Sequence, residues 1–210
     1  MANNLIIIVV FLIFKSIMSR SLNKLEVNNN NSTCMIKSTV YPDEYLYSST
    51  ELEGHHFHEK KYYFNFYKRK VFTKRSQNVF ERQDFAWLFT KLKDDDNNKT
   101  YHITNMKYEN QYLCASYDHL DKHHQRLKVH LHKLTAESRY RNKKCMWILT
   151  KSTNSSDYLL VNKYYLRPLN GGKSFSKNTK SRNIYLMHLN NQRPKSSFWF
   201  INCSNNITNF

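Results

Sequence analysis

The chain has 210 residues, with 33 Lys or Arg against 16 Asp or Glu, a formal net charge of +17, and only 3 glycines. That length suits one domain or two small ones. The glycine-poor sequence holds no Gly-x-Ser-x-Gly elbow, no His-Glu-x-x-His and no phosphate-binding glycine loop, so neither an enzyme nor a cofactor is expected.

The first element in chain order is "LIIIVVFLIF" at 5–14. A spanning helix needs about 20 apolar residues, so this run is too short to cross a bilayer. Small residues follow in "SIMSRS", which fits a secretory signal peptide over 1–21 with cleavage after Ser19 or Ser21. No Lys or Arg precedes the run. The expectation is a secreted, extracellular protein with no transmembrane segment after signal cleavage. A polar linker is expected over 22–33. N-x-S/T sequons at Asn30, Asn31, Asn98, Asn154 and Asn206 mark candidate glycosylated loops. Removing residues 1–21 takes away Lys15 and Arg20 and no acid, which leaves +15. Solubility needs a magnitude of only about 2–8 in a small domain, so an anionic partner is implied.

From residue 34 onward one order of short elements is written three times. The first set is "CMIKS" (34–38), "EYLYSS" (44–49), "YYFNFYKRKVF" (62–72) and "FAWLFTKL" (85–92). The second is "TYHITN" (100–105), "QYLCAS" (111–116), "RLKVHLHKL" (126–134) and "CMWILTKS" (145–152). The third is "DYLLVN" (157–162), "YYLRPL" (164–169), "NIYLMHL" (183–189) and "SFWFINCS" (197–204). Each set ends on a tryptophan: Trp87, Trp147, Trp199. A repeated stretch implies a repeated structural unit. The elements are strands, because Leu127, Val129 and Leu131 alternate with polar neighbours at period two and aromatic and β-branched residues concentrate in the runs. The best helical candidate, "DHLDKHHQRL", has too thin an apolar face.

Three repeats of four strands (about 34–92, 100–152 and 157–203), followed by a tail at 204–210, look like a β-trefoil. In that fold six strands close a barrel and six form a triangular cap of hairpins. The three tryptophans then fill one layer of the core rather than stack on carbohydrate. Four cysteines in a secreted chain suggest two disulfides, with three possible connectivities. Barrel closure brings the first and last strands together and so favours Cys34–Cys203, with Cys114–Cys145 as a local bridge. The alternative leaves Cys114 a free buried thiol. No pair has the C-x2-C spacing of a zinc site.

The second and third repeats resemble the fibroblast growth factors. The likeness rests on "NQYLCAS", on "KCMWILTKSTNSSDYLLVNKYYL" and on the loop "RPLNGGKSFSKNTKSRNIYLM" that follows, over residues 100–200. The resemblance implies a heparan-sulfate site in that loop, with Lys173, Lys177, Lys180 and Arg182 as sulfate contacts and Asn170 as a polar helper. It also implies a sulfated glycosaminoglycan partner and a receptor tyrosine kinase ectodomain, whose contacts are not carried over because the first repeat departs from the family with insertions such as "GHHFHEKK". Independently, "GGKSFSKNTKSR" packs four cations and several hydroxyl and amide donors into one loop that its glycines could relax. Lys68, Arg69, Lys70, Lys74 and Arg75 form a secondary basic cluster, and Arg139, Arg141, Lys143 and Lys144 a third.

Ten histidines invite a metal hypothesis, and His130 and His132 share a strand face, but the pattern lacks a carboxylate partner, so no metal is expected. As surface groups the histidines would add charge below pH ~6.5. Nucleic acid is allowed by charge but not expected of a secreted chain. The alternatives to a glycan-binding, growth-factor-like ligand are a protease inhibitor, a lectin and a host-directed effector.

Overall fold

A computed structural model describes residues 32–52, 68–92, 99–121, 125–135, 138, 142–153, 155–188 and 194–203. The expected signal peptide, most of the linker, the tail, "GHHFHEKK", His123, His124, Arg139, Arg141 and the five sequon asparagines named above lie outside them. No helix among the described residues is long and apolar enough to cross a membrane.

Among the described residues twelve strands follow in chain order: β1 Ser32–Ser38, β2 Glu44–Leu52, β3 Lys68–Arg75, β4 Ala86–Lys91, β5 Thr100–Asn105, β6 Gln111–Asp121, β7 Arg126–Lys133, β8 Met146–Lys151, β9 Tyr158–Asn162, β10 Arg167–Ser176, β11 Ser181–Leu186 and β12 Phe198–Cys203. Short 3-10 turns at Lys143–Cys145 and Lys195–Ser197 precede β8 and β12. The period-two reading holds for Leu127, Val129 and Leu131 of β7, all buried, but His130 between the last two is buried as well, so the alternation of apolar and polar faces is incomplete. "YYLRPL" is only half strand, because 164–166 form the turn before β10.

All strand pairs are antiparallel. β1 pairs with β12, β12 with β9, β9 with β8, β8 with β5, β5 with β4 and β4 with β1, so the ladder returns on itself. β2, β6 and β10 leave this ring to pair with β3, β7 and β11. Those three partners also pair with one another.

The expected fold class, a β-trefoil with a six-stranded barrel and a separate cap, is corrected to an all-β closed antiparallel barrel. Backbone hydrogen bonding does not stop at a barrel rim: one sheet runs through all twelve strands. The physical cause lies in β2, β6 and β10, which are 9, 11 and 10 residues long. Each begins against a ring strand and continues through an irregular register into its hairpin.

The core is where the tryptophans sit. Trp87, Trp147 and Trp199 are fully buried. Each indole N–H donates to a leucine carbonyl on a long strand: Trp87 to Leu46 at 3.0 Å, Trp147 to Leu113 at 2.7 Å and Trp199 to Leu169 at 3.1 Å. A buried indole needs a partner for its one polar atom, and the backbone supplies it each time. Ile36, Ile103 and Leu160 fill the space around them.

Both disulfides form as barrel closure favoured. Cys34–Cys203 locks β1 to β12 where the ladder already pairs the two residues. Cys114–Cys145 ties β6 to the turn before β8, in a small cluster with Tyr112 and Leu134.

Candidate polyanion-binding surface

The loop singled out for sulfate is an ordered hairpin. β10 and β11 pair from Leu169↔Leu186 to Ser176↔Ser181, with a register shift between Gly171 and Phe175. The glycines do not relax it, since neither has a positive φ. Gly172 serves close approach instead: a Cβ there would stand 2.9 Å from the Asn183 carbonyl oxygen across the hairpin. The turn closes through Lys180, which takes the left-handed conformation at φ 50°. The Thr179 N–H donates to Ser176 Oγ at 3.4 Å.

The five residues expected to meet sulfate separate into two groups. Lys173, Lys177 and Lys180 are exposed, alongside exposed Ser174, Ser176, Asn178 and Thr179. Arg182 and Asn170 are used inside the fold. Arg182 Nε donates to both carboxylate oxygens of Glu44, at 2.9 and 3.0 Å. Glu44 is fully buried and also accepts from Thr73 Oγ1 at 2.8 Å. Arg182 donates a further bond to the Lys173 carbonyl, and its guanidinium lies 3.7 Å from the Tyr41 ring centre and 5.0 Å from that of Phe175. Asn170 is buried, accepts from Ser197 Oγ at 3.1 Å and contacts Met187 Sδ. Neither side chain is presented at the surface as a sulfate contact would be.

The secondary cluster divides as well. β11 runs beside β3 with Ser181↔Lys74 in register, and the Arg75 N–H donates to the Lys180 carbonyl at 3.2 Å. This brings exposed Arg75 to the hairpin tip, with its guanidinium 5.7 Å from the Phe175 ring, whereas the half-buried Lys74 turns its ammonium to the Tyr47 ring, 4.9 Å from its centre. Exposed Asp43 is the acid beside them, its carbonyl accepting from Ser76. Lys68 and Lys70 lie at the other end of β3, opposite His132 and His130 of β7. Lys70 pairs with Glu51 at 2.9 Å. Arg69 turns inward, donating to the Ser49 and Thr50 carbonyls and to Gln111, with its guanidinium 3.7 Å from the Tyr108 ring centre.

Among the described histidines, His102 and His130 are buried, His132 is half-buried and His188 is exposed. Burial, then the nearby Lys68, push the His132 pKa below its ordinary value. Among the described residues no cluster of three metal-ligating side chains exists. Sequence reading missed Glu44 and Tyr41, the groups that take Arg182 out of solvent. They stand 138 and 141 positions away along the chain, and only the β3–β11 pairing brings them near.

Neither a protein-family model nor a curated protein sequence matches the chain. Solved structures do. An SDF2-like protein from Arabidopsis thaliana gives a TM-score of 0.58 at 10% identity, covering 82% of this chain and 92% of that one. The designed three-fold symmetric protein ThreeFoil gives 0.53 at 10%, covering 80% and 96%. A salivary protein from Culex quinquefasciatus, of a cysteine- and tryptophan-rich family, gives 0.51 at 14%, covering 84% and 95%. At such identities the likeness is one of fold alone, and it is trefoil-like.

Proposed function

We propose that the chain is a secreted binding protein, growth-factor-like in its second and third repeats, whose ligand is a sulfated glycosaminoglycan. The site is the outer end of the β10–β11 hairpin, where Lys173, Lys177 and Lys180 are joined by Arg75 of β3. One observation carries this reading: three lysines and an arginine from separate stretches are exposed at one tip, while the adjacent buried carboxylate, Glu44, is already neutralised by Arg182. Sulfates would be met by the ammonium groups as point charges and by the Arg75 fork, with the tip hydroxyls as further donors. The protein acts by binding and not by catalysis. A receptor ectodomain as second partner rests on the sequence resemblance.

The test is elution from immobilised heparin against elution from a plain cation exchanger. The wild type is expected to need more salt on heparin, and K173A/K177A/K180A to lose that excess. Equal elution of both proteins on both resins would show diffuse charge and sink the proposal.

A second reading, protease inhibition, is favoured by the connector before β4. Val79 is buried and Phe80 is 73% exposed on a turn closed by the Arg82 N–H to the Val79 carbonyl, while Arg82 grips Asp84 through two bonds. Stoichiometric loss of a protease's activity, abolished by Phe80→Ala, would support it.

A further inference from the structure

Three connections leave a ring strand for a long strand: 38–44, 105–111 and 162–167. Each holds one residue in the left-handed region: Asp43 at φ 66°, Asn110 at 57° and Leu166 at 53°. Asp and Asn tolerate that conformation through short polar side chains, and a leucine rarely adopts it. Leu166 is also 64% exposed, so core packing does not hold it there. Its neighbour Tyr164 is 46% exposed.

The turn is preformed. Asn162 is buried and donates to the Lys144 carbonyl at 2.8 Å. Its side-chain oxygen accepts the N–H groups of Tyr164 and Tyr165, each at 3.2 Å, and the Leu166 N–H donates to its main-chain carbonyl at 2.8 Å. The apolar tip is collared by cations. Lys144 Nζ stands 5.7 Å from the Tyr164 ring centre, Lys143 is exposed one residue before Lys144, and Arg167 flanks the tip in sequence, whereas Lys163 Nζ is turned to Thr100 Oγ1 at 3.3 Å. Arg167 is positioned by its bond to the Gln125 carbonyl at 3.0 Å. The stretch 163–167 and the pair 143–144 contain no acid.

We propose that this turn is a membrane-docking tip, with Leu166 and Tyr164 entering the interface of a bilayer and the collar of Lys143, Lys144 and Arg167 meeting anionic lipid headgroups. An amphipathic tyrosine suits the headgroup level, a leucine the layer beneath it, and basic groups beside them add attraction to anionic lipid. A leucine kept where two counterparts are Asp and Asn makes sense if its side chain has a use outside the fold. The β10–β11 tip is not involved.

The test is cosedimentation of the full chain, as secreted, with vesicles of phosphatidylcholine alone and of phosphatidylcholine mixed with phosphatidylserine. The wild type is expected to partition onto the mixed vesicles only. Leu166→Asn, which restores the residue found at 110, is expected to lower that partition about tenfold without lowering the melting temperature. Tyr164→Ser should act in the same direction, and K173A/K177A/K180A should keep most of the binding. The proposal is overturned if wild type ignores the mixed vesicles, or if Leu166→Asn partitions like wild type. It is also overturned if the triple lysine variant alone abolishes binding, since charge elsewhere then carries it. A shift from dimer to monomer on Leu166→Asn, with no vesicle effect, would assign the tip to a second copy of this chain.

Discussion

Arg182 and Lys180 stand two residues apart on the same hairpin and serve opposite ends. Arg182 reaches inward to buried Glu44 and lies under the Tyr41 ring; Lys180 faces solvent at the tip. The same division recurs. Arg69 holds the Ser49 and Thr50 carbonyls and stacks on Tyr108, and Arg82 grips Asp84, whereas Lys173 and Lys177 are exposed. A planar guanidinium can fork onto a carboxylate or two carbonyls while its face covers an aromatic ring, and an ammonium cannot. The positive charge of these residues is therefore of two kinds, one held in the framework and one exposed to solvent.

The sharpest way to break that division is Arg182→Ala. It strands Glu44 in the interior, and losing one partner of a buried pair costs about 3–5 kcal/mol; a urea midpoint near that of wild type would show that water reaches Glu44. Arg182→Lys should recover only part of the loss. Removing the Cys114–Cys145 bridge in a double alanine variant is expected to cost about 2–4 kcal/mol by loop closure, read from the same urea curves.

A smaller effect is set by pH. Burial lowers the His132 pKa in the fold, so below its ordinary value of 6.5 the unfolded chain takes up a proton that the folded chain resists. Stability is therefore complete above that pH and declines as pH falls through 6.5 toward the lowered folded value. His132→Gln should flatten this part of the profile, and an unchanged slope would place its source elsewhere. Smallest in stability is K173A/K177A/K180A, expected within about 0.5 kcal/mol of wild type because the three side chains are exposed and alanine puts at the left-handed position 180 the same Cβ that lysine already carries there. A large loss there would erase the distinction between framework and exposed cations.

Much of this was legible before any coordinates. Alternation in β7 declared a strand, the triplicated tryptophan octets declared a repeated unit, and the even cysteine count declared two bridges. Those are local or counting signals, carried by neighbouring residues. What failed were statements about which side chains face outward in a basic stretch. Arg182 and Lys180 look alike in "KNTKSR", and Asn170 looks like a loop residue beside two glycines.

The sequence by itself determined the all-β class, the buried tryptophans and the basic character, because pattern, size and charge are properties of the chain. Only the tertiary structure decided that one continuous ladder closes the barrel, that Glu44 and Tyr41 consume Arg182, that Arg75 joins the β10–β11 tip, and that Leu166 stands exposed in a conformation its counterparts give to Asp and Asn. Each depends on strands far apart in sequence meeting in register, and side-chain direction follows from that register rather than from composition.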